Sequence, residues 1–271
     1  MTKVGTRRYI GFAALRYAIV AAFALAFAGP RVALAEDAPA IAAADLSYAL
    51  NEVAADFKAD TGREVKLTFG SSGNFATQIQ QGAPFELFLS ADEQYVQKLT
   101  AQGLTLGDGT LYAIGRIGLF APKGSPLKVD GELNDLAAAL KDGRLDKFAI
   151  ANPEHAPYGR AAQSALEHAG LWEQIKPKLV LGENVSQATQ FASSGSAQGG
   201  IIPLSLAKAP AIAALGRFAL IPEDWHAPLR QRMVLLKGAG ETARAFYDYV
   251  QKPRARAIFR RYGFLLPGEG Q

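Results

Sequence analysis

Along this chain, short unbroken apolar runs alternate with segments whose apolar residues recur every three or four positions. The first pattern reads as strand and the second as amphipathic helix. "KLTFG" (66–70) predicts a strand, and "NFATQIQQG" (74–82) a helix with Phe75 and Ile79 on one face and Gly82 placed to end it. "FELFLSA" (85–91) has the character of a buried strand, after which Asp92 is placed to cap the helix "EQYVQKLTAQG" (93–103). "GRIGLFAP" (115–122) is another strand, and "KFAIANP", "KLVLG" and "GGIIP" are further short runs, each leading through a polar loop into a helical pattern. With no internal repeat and no long linker, this alternation predicts an α/β architecture. In such folds ligands gather where strands run into helices. Here those junctions carry "GSSGN" (70–74), "NPEHAPYGR" (152–160), "GENVSQ" (182–187) and "PLSLA" (203–207), a polar set suited to a small polar ligand.

Charge and composition change the picture mainly at the N-terminus. Lys3, Arg7 and Arg8 precede an apolar run that is densest from Tyr17 to Ala28, and "ALAED" offers a small-residue cleavage site ending at Ala35. This is the pattern of a secretory signal peptide over residues 1–35. No later run is long enough to cross a bilayer. The leader holds five basic residues and no acidic one, so its removal leaves 24 basic against 25 acidic side chains and turns a formal charge of +4 into −1. No basic stripe interleaved with aromatics remains, so nothing points to nucleic acid. There is no cysteine, which excludes disulfides and thiolate metal sites.

The "GSSGN" turn admits two readings. Gly70 and Gly73 permit close backbone approach, Ser71 and Ser72 supply hydroxyls, and the helix that follows presents free N–H groups; together these are the parts of an anion site. The same residues also make an ordinary helix cap, with Ser72 bonding its own helix. A serine-hydrolase reading is poorly served. No G-x-S-x-G elbow frames either serine, and His155, His168 and His226 stand apart without metal-ligand spacing. Catalysis, metal and cofactor are therefore not expected.

Four segments carry a family resemblance: "AAADLSYALNEVAADFKADTG", "TFGSSGNFATQIQQGAPFELFLSADEQYVQKL", "ANPEHAPYGRAAQSALEHAGLWEQIKPKLV" and "FYDYVQKPRARAIFRRYGF". In order, from about Ala42 to Phe264, they resemble the periplasmic molybdate-binding proteins of ABC importers, most specifically in "PEH-x-P-x-G" and "GAP-x-x-LF-x-SAD". The resemblance implies the type II periplasmic binding fold, two α/β lobes joined by a hinge. Lobe one would comprise residues 36–121 with 223–271, and lobe two residues 122–222. It implies a monomer in the periplasm that binds molybdate or tungstate reversibly between the lobes and delivers it to an ABC permease in the inner membrane. The family holds its oxyanion with hydroxyls and backbone N–H groups and no cationic side chain. Carried over, Ser72, with Ser71 beside it, matches the serine of the turn, while Tyr158 and Val185 match positions that donate through their backbone.

Two positions depart from the family pattern. A ligand serine is replaced by Asp45, and a ligand tyrosine by Pro203, which offers neither a side-chain donor nor an N–H. An ionised Asp45 beside a dianion in a low-dielectric cleft is unfavourable. Asp45 must therefore turn away to cap the helix beginning at Leu46, be protonated, or be matched by a cation. Arg116 and Arg160 are the candidate cations, with Arg116 expected as a bidentate partner of Asp45. The Tyr158 phenol could replace the hydroxyl lost at Pro203 or stack on a larger ligand. A remodelled pocket for a different oxyanion or a small organic ligand is the alternative.

Overall fold

The structure is a computed structural model that describes residues 1–2, 40–43 and 45–268. The signal peptide expected over residues 1–35 lies outside the described residues, except for its first two. Two five-stranded sheets organise the chain. The first is built from β1 (Ala40–Ala43), β2 (Lys66–Phe69), β3 (Phe85–Ser90), β4 (Thr110–Gly115) and β10 (Leu229–Leu235), in the order β2-β1-β3-β10-β4. β1 runs parallel to β2 and β3, whereas β10 inserts antiparallel between β3 and β4. The second contains β5 (Ile117–Pro122), β6 (Phe148–Ala151), β7 (Leu179–Gly182), β8 (Gly199–Pro203) and β9 (Gly216–Leu220), in the order β7-β6-β8-β5-β9. Helices α1 (Ser47–Thr61), α2 (Ser72–Gln80), α3 (Glu93–Ala101), α7 (Glu241–Val250) and α8 (Pro253–Arg261) belong with the first sheet. Helices α4 (Asn134–Asp142), α5 (Pro157–His168) and α6 (Val185–Ser193) belong with the second.

Local signals explain the ends of these elements. Asp92 accepts from the Gln94 N–H at 2.9 Å and caps α3. Gly82, just past α2, has φ +86, a conformation that L side chains rarely adopt. Burial then assembles the lobes. Phe57 of α1 packs edge-on against Phe246 and Tyr249 of α7, with ring centroids 5.1 and 5.4 Å away. Leu119, Phe148, Ile150, Leu166 and Ile175 form the centre of the second lobe.

Among the described residues, the chain passes between the sheets twice, at Arg116 and again between β9 and β10. The first passage falls earlier than the sequence suggested. The resemblance implies a second lobe that starts at residue 122, but Pro122 ends a strand that pairs along its length with β8 and β9. Residues 117–121 therefore belong to the second sheet, because ladder pairing decides sheet membership.

Candidate functional site

Three strand-to-helix loops meet where the lobes face each other. In the first, Ser71 has an extended backbone (φ −90, ψ 147), and its Oγ accepts from the Asn74 N–H at 3.3 Å. Ser72, already the first residue of α2, uses its Oγ to accept from the Ala91 N–H at 2.9 Å. The capping role expected of Ser72 thus belongs to Ser71, and Ser72 ties the loop to the end of β3. Gly73 N–H donates across the cleft to the His155 carbonyl at 2.9 Å. A Cβ at Gly73 would lie 2.6 Å from that oxygen, so the close approach requires glycine. His155 Nδ1 stands 3.0 Å from Ser71 Oγ, and Asn74 Nδ2 donates to Glu183 Oε1 at 2.6 Å. The second and third loops are joined by the Asn152 N–H, which donates to the Gly182 carbonyl at 2.8 Å.

The starts of α2, α5 and α6 are thereby held together. Tyr158 is the second residue of α5, after Pro157, and Val185 is the first of α6, which Asn184 caps through the Gln187 N–H at 3.0 Å. The first-turn N–H groups of a helix have no partner within the helix, and they form its partially positive end.

A fourth element, the start of α1, brings the ionisable group. Asp45 is completely buried. The Tyr158 phenol reaches from α5 and donates to Asp45 Oδ2. Gln231 of β10 donates from Nε2 to the same oxygen at 2.9 Å and to the phenol oxygen at 2.8 Å. Tyr112 of β4 orients that amide by donating to Gln231 Oε1 at 2.7 Å. From the second lobe, Ser205 Oγ donates to the Asp45 backbone carbonyl at 3.2 Å. The phenol has room because residue 115 is glycine; a Cβ there would collide with Tyr158 Oη. Asp45 Oδ1, by contrast, is enclosed with no hydrogen-bond partner among the described residues.

These surroundings set the titration behaviour. Burial pushes the Asp45 carboxyl up from 3.8 to about 6, against the opposing pull of hydrogen bonds from Tyr158, Gln231 and its own backbone N–H. Burial, with the nearby Asp45 charge, pushes both the Tyr112 and Tyr158 phenols well above 10. Both phenols therefore remain donors across the neutral range.

Several expected contacts are not made. Asp45 does not cap α1, which begins at Ser47 with Leu46 at the N-cap and no side-chain cap bond. Arg116 is not its partner. It lies on the first passage between sheets, and its guanidinium pairs with Glu223 on the second. Arg160 is directed to another rim, donating to Asp92 Oδ2 at 2.7 Å and to the Tyr95 hydroxyl at 3.0 Å. The side-chain partners of Asp45 are thus uncharged donors. Pro203 ends β8, paired with Ile117, and precedes the single helical turn Leu204–Ala207. A hydroxyl does appear at that strand end, two residues on at Ser205. The isolated His155 of the sequence comes to Ser71, but Ser71 is buried and its Oγ already serves Asn74, so the contact is a hydrogen bond between lobes. Gln231 and Tyr112 escaped sequence reasoning. A glutamine flanked by Arg230 and Arg232 reads as solvent-facing, and no motif marks it.

Comparison with known proteins places this geometry in context. The sequence profile described as bacterial extracellular solute-binding protein matches residues 40–265. The chain is 38% identical over 238 residues to the molybdate-binding protein ModA of Rhodobacter capsulatus, covering 86% of this chain and 90% of that one. It is 35% identical over 263 residues to the protein of the same name from Escherichia coli K12, covering 92% and 97%. Among solved structures, the Azotobacter vinelandii periplasmic molybdate-binding protein superposes with a TM-score of 0.76 at 31% identity, covering 85% of this chain and 100% of that one.

Proposed function

Since the chain belongs to the family of bacterial extracellular solute-binding proteins, we propose that it captures a small tetrahedral oxyanion, molybdate or tungstate foremost, between its lobes. It would work in the periplasm as a monomer and release the anion to an ABC permease in the inner membrane. The observation that carries this reading is the meeting of three helix starts at loops 70–74, 152–158 and 182–185, stitched across the cleft by the Gly73–His155 and Asn74–Glu183 hydrogen bonds. Helix starts offer an anion N–H donors and partial positive charge that need no reorganisation. Ser72, Tyr158 and Val185 stand at those starts, and Ser71 caps the first. Binding would be reversible, since nothing in such a cradle breaks or forms a covalent bond.

A specific observation favours a second reading. Asp45, Tyr158 and Gln231 place acceptors and donors side by side in the cleft, which suits an anion that carries a proton of its own or a small hydroxy acid. One experiment addresses both. Purified protein is titrated by calorimetry and thermal shift with molybdate, tungstate, sulfate, phosphate and lactate. A ligand at one hundred times its Kd stabilises the native state by about 2.7 kcal/mol, which a thermal shift resolves. Molybdate and tungstate are expected to give the largest shifts. Failure of all four inorganic anions to bind would overturn the oxyanion reading, and a response to lactate alone would establish the second.

A further inference from the structure

We propose, resting on that oxyanion reading, that Asp45 is a specificity-determining residue of the site: its neutral carboxyl donates from Oδ1 to an oxygen of the bound anion, so that a bare dianion binds together with one proton. Geometry carries the assignment. Oδ2 is saturated by two donors, the Tyr158 hydroxyl and Gln231 Nε2, and both remain donors whichever way Asp45 is charged. Oδ1 is fully enclosed and has no hydrogen-bond partner among the described residues. A buried polar atom left unsatisfied is costly until a partner meets it. If the carboxyl is ionised, Oδ1 needs a donor, and a deprotonated oxyanion has none to give. If it is neutral, with Oδ2 as the carbonyl oxygen, the Oδ1 hydrogen needs an acceptor, and an oxyanion offers only acceptors. The neutral form alone satisfies both partners.

The surroundings agree with this. Tyr112 from β4 and Tyr158 from α5 are the titratable groups facing Asp45, and both stay protonated. Gln231 from β10 and Ser205 from the turn after β8 carry no charge. Arg116 and Arg160 are bound to Glu223 and Asp92, and His155 faces Ser71 and Glu183. Without a cation on it, the carboxyl already titrates near 6 in the folded protein. The charge of a neighbouring dianion drives it further toward the neutral form. A carboxylic acid kept neutral by an apolar site is an effective donor to an oxyanion. The proton balance is simple: one proton moves from solvent to Asp45 as the dianion enters, and it returns on release.

The test is calorimetric titration with molybdate between pH 6 and pH 9, in two buffers of different ionisation enthalpy, on wild type and Asp45→Asn. Wild type should take up close to one proton at the alkaline end, and its Kd should rise about tenfold per pH unit there. Asp45→Asn, permanently neutral with an amide donor, should show no proton uptake and a flat profile. Molybdate binding by wild type without proton uptake and with a flat Kd would overturn the assignment while leaving the oxyanion reading intact. No molybdate binding by either protein would overturn the oxyanion reading, and this assignment with it. The wild-type proton count decides the question even if the variant fails to fold.

Discussion

The buried carboxyl also predicts how the stability of the ligand-free protein responds to pH. Asp45 titrates near 6 when folded, against 3.8 as its ordinary value. The folded state therefore holds this proton more tightly than the unfolded chain does. The resulting stabilisation is fully present below 3.8 and is lost as pH rises through 6. The whole swing is about 3 kcal/mol, at about 1.4 kcal/mol per pH unit of displacement. The carboxyl has no solvent exposure, so screening does not reduce it. Asp45→Asn removes the titration while keeping the shape. Guanidinium unfolding of wild type and variant between pH 4 and pH 8 should show the variant gaining on wild type by about 2.5 kcal/mol across that range. Any constant offset from altered hydrogen bonds cancels in the comparison. Parallel stability curves, within about 0.5 kcal/mol, would mean that Asp45 is not desolvated as described, since only a displaced pKa can produce the slope.

Other substitutions probe the rest of the site. Gly73→Ala pushes a methyl against the His155 carbonyl and the Tyr95 hydroxyl; oxyanion affinity should fall at least about tenfold, with a loss of stability that up to about 1 kcal/mol of helix propensity in α2 offsets only in part. Unchanged affinity in a calorimetric titration would show that lobe approach at this rim does not matter. Ser72→Ala strands the buried Ala91 N–H and should cost about 1–3 kcal/mol in denaturant unfolding, whereas Ser71→Ala removes a cap and should cost about 1 kcal/mol. Arg116→Met breaks a pair whose Glu223 partner is half exposed, so the loss should stay below about 1 kcal/mol. It should also leave the pH dependence that Asp45 confers unaltered; a displaced Asp45 titration in that variant would restore the pairing that the structure assigns to Glu223.

Much of the architecture was readable from local patterns, because those patterns act within a few residues. Asp92 caps α3 and Gly82 closes α2 through bonds and dihedral angles confined to one turn. The helix-capping character of "GSSGN" was likewise visible, although the cap is Ser71 and not Ser72, since only folding shows which Oγ turns toward its own helix. The heart of the site was not legible. Tyr112, Tyr158, Gln231 and Asp45 are brought together by strands and helices far apart in the chain, and Gln231 carries no local mark of burial. The Arg116 expectation failed for a related reason. Asp45 and Arg116 both fall in the segment 36–121 expected as lobe one, but the second passage between sheets supplied a competing carboxylate, Glu223.

The place of β10 also constrains how the molecule is made. β4 lies at the edge of the first sheet, and its neighbour there is β10, a strand that follows the entire second lobe in sequence. A chain emerging N-terminus first thus has every strand of its second sheet available while the first sheet still has a gap between β3 and β4. Until β10 arrives, the facing edges of β3 and β4 are open templates for pairing with other chains. It also brings Gln231, so the Asp45 cluster is among the last features to form. Closing so long a loop is slow, and a truncation before Leu229 should yield a folded second lobe attached to an aggregation-prone first one.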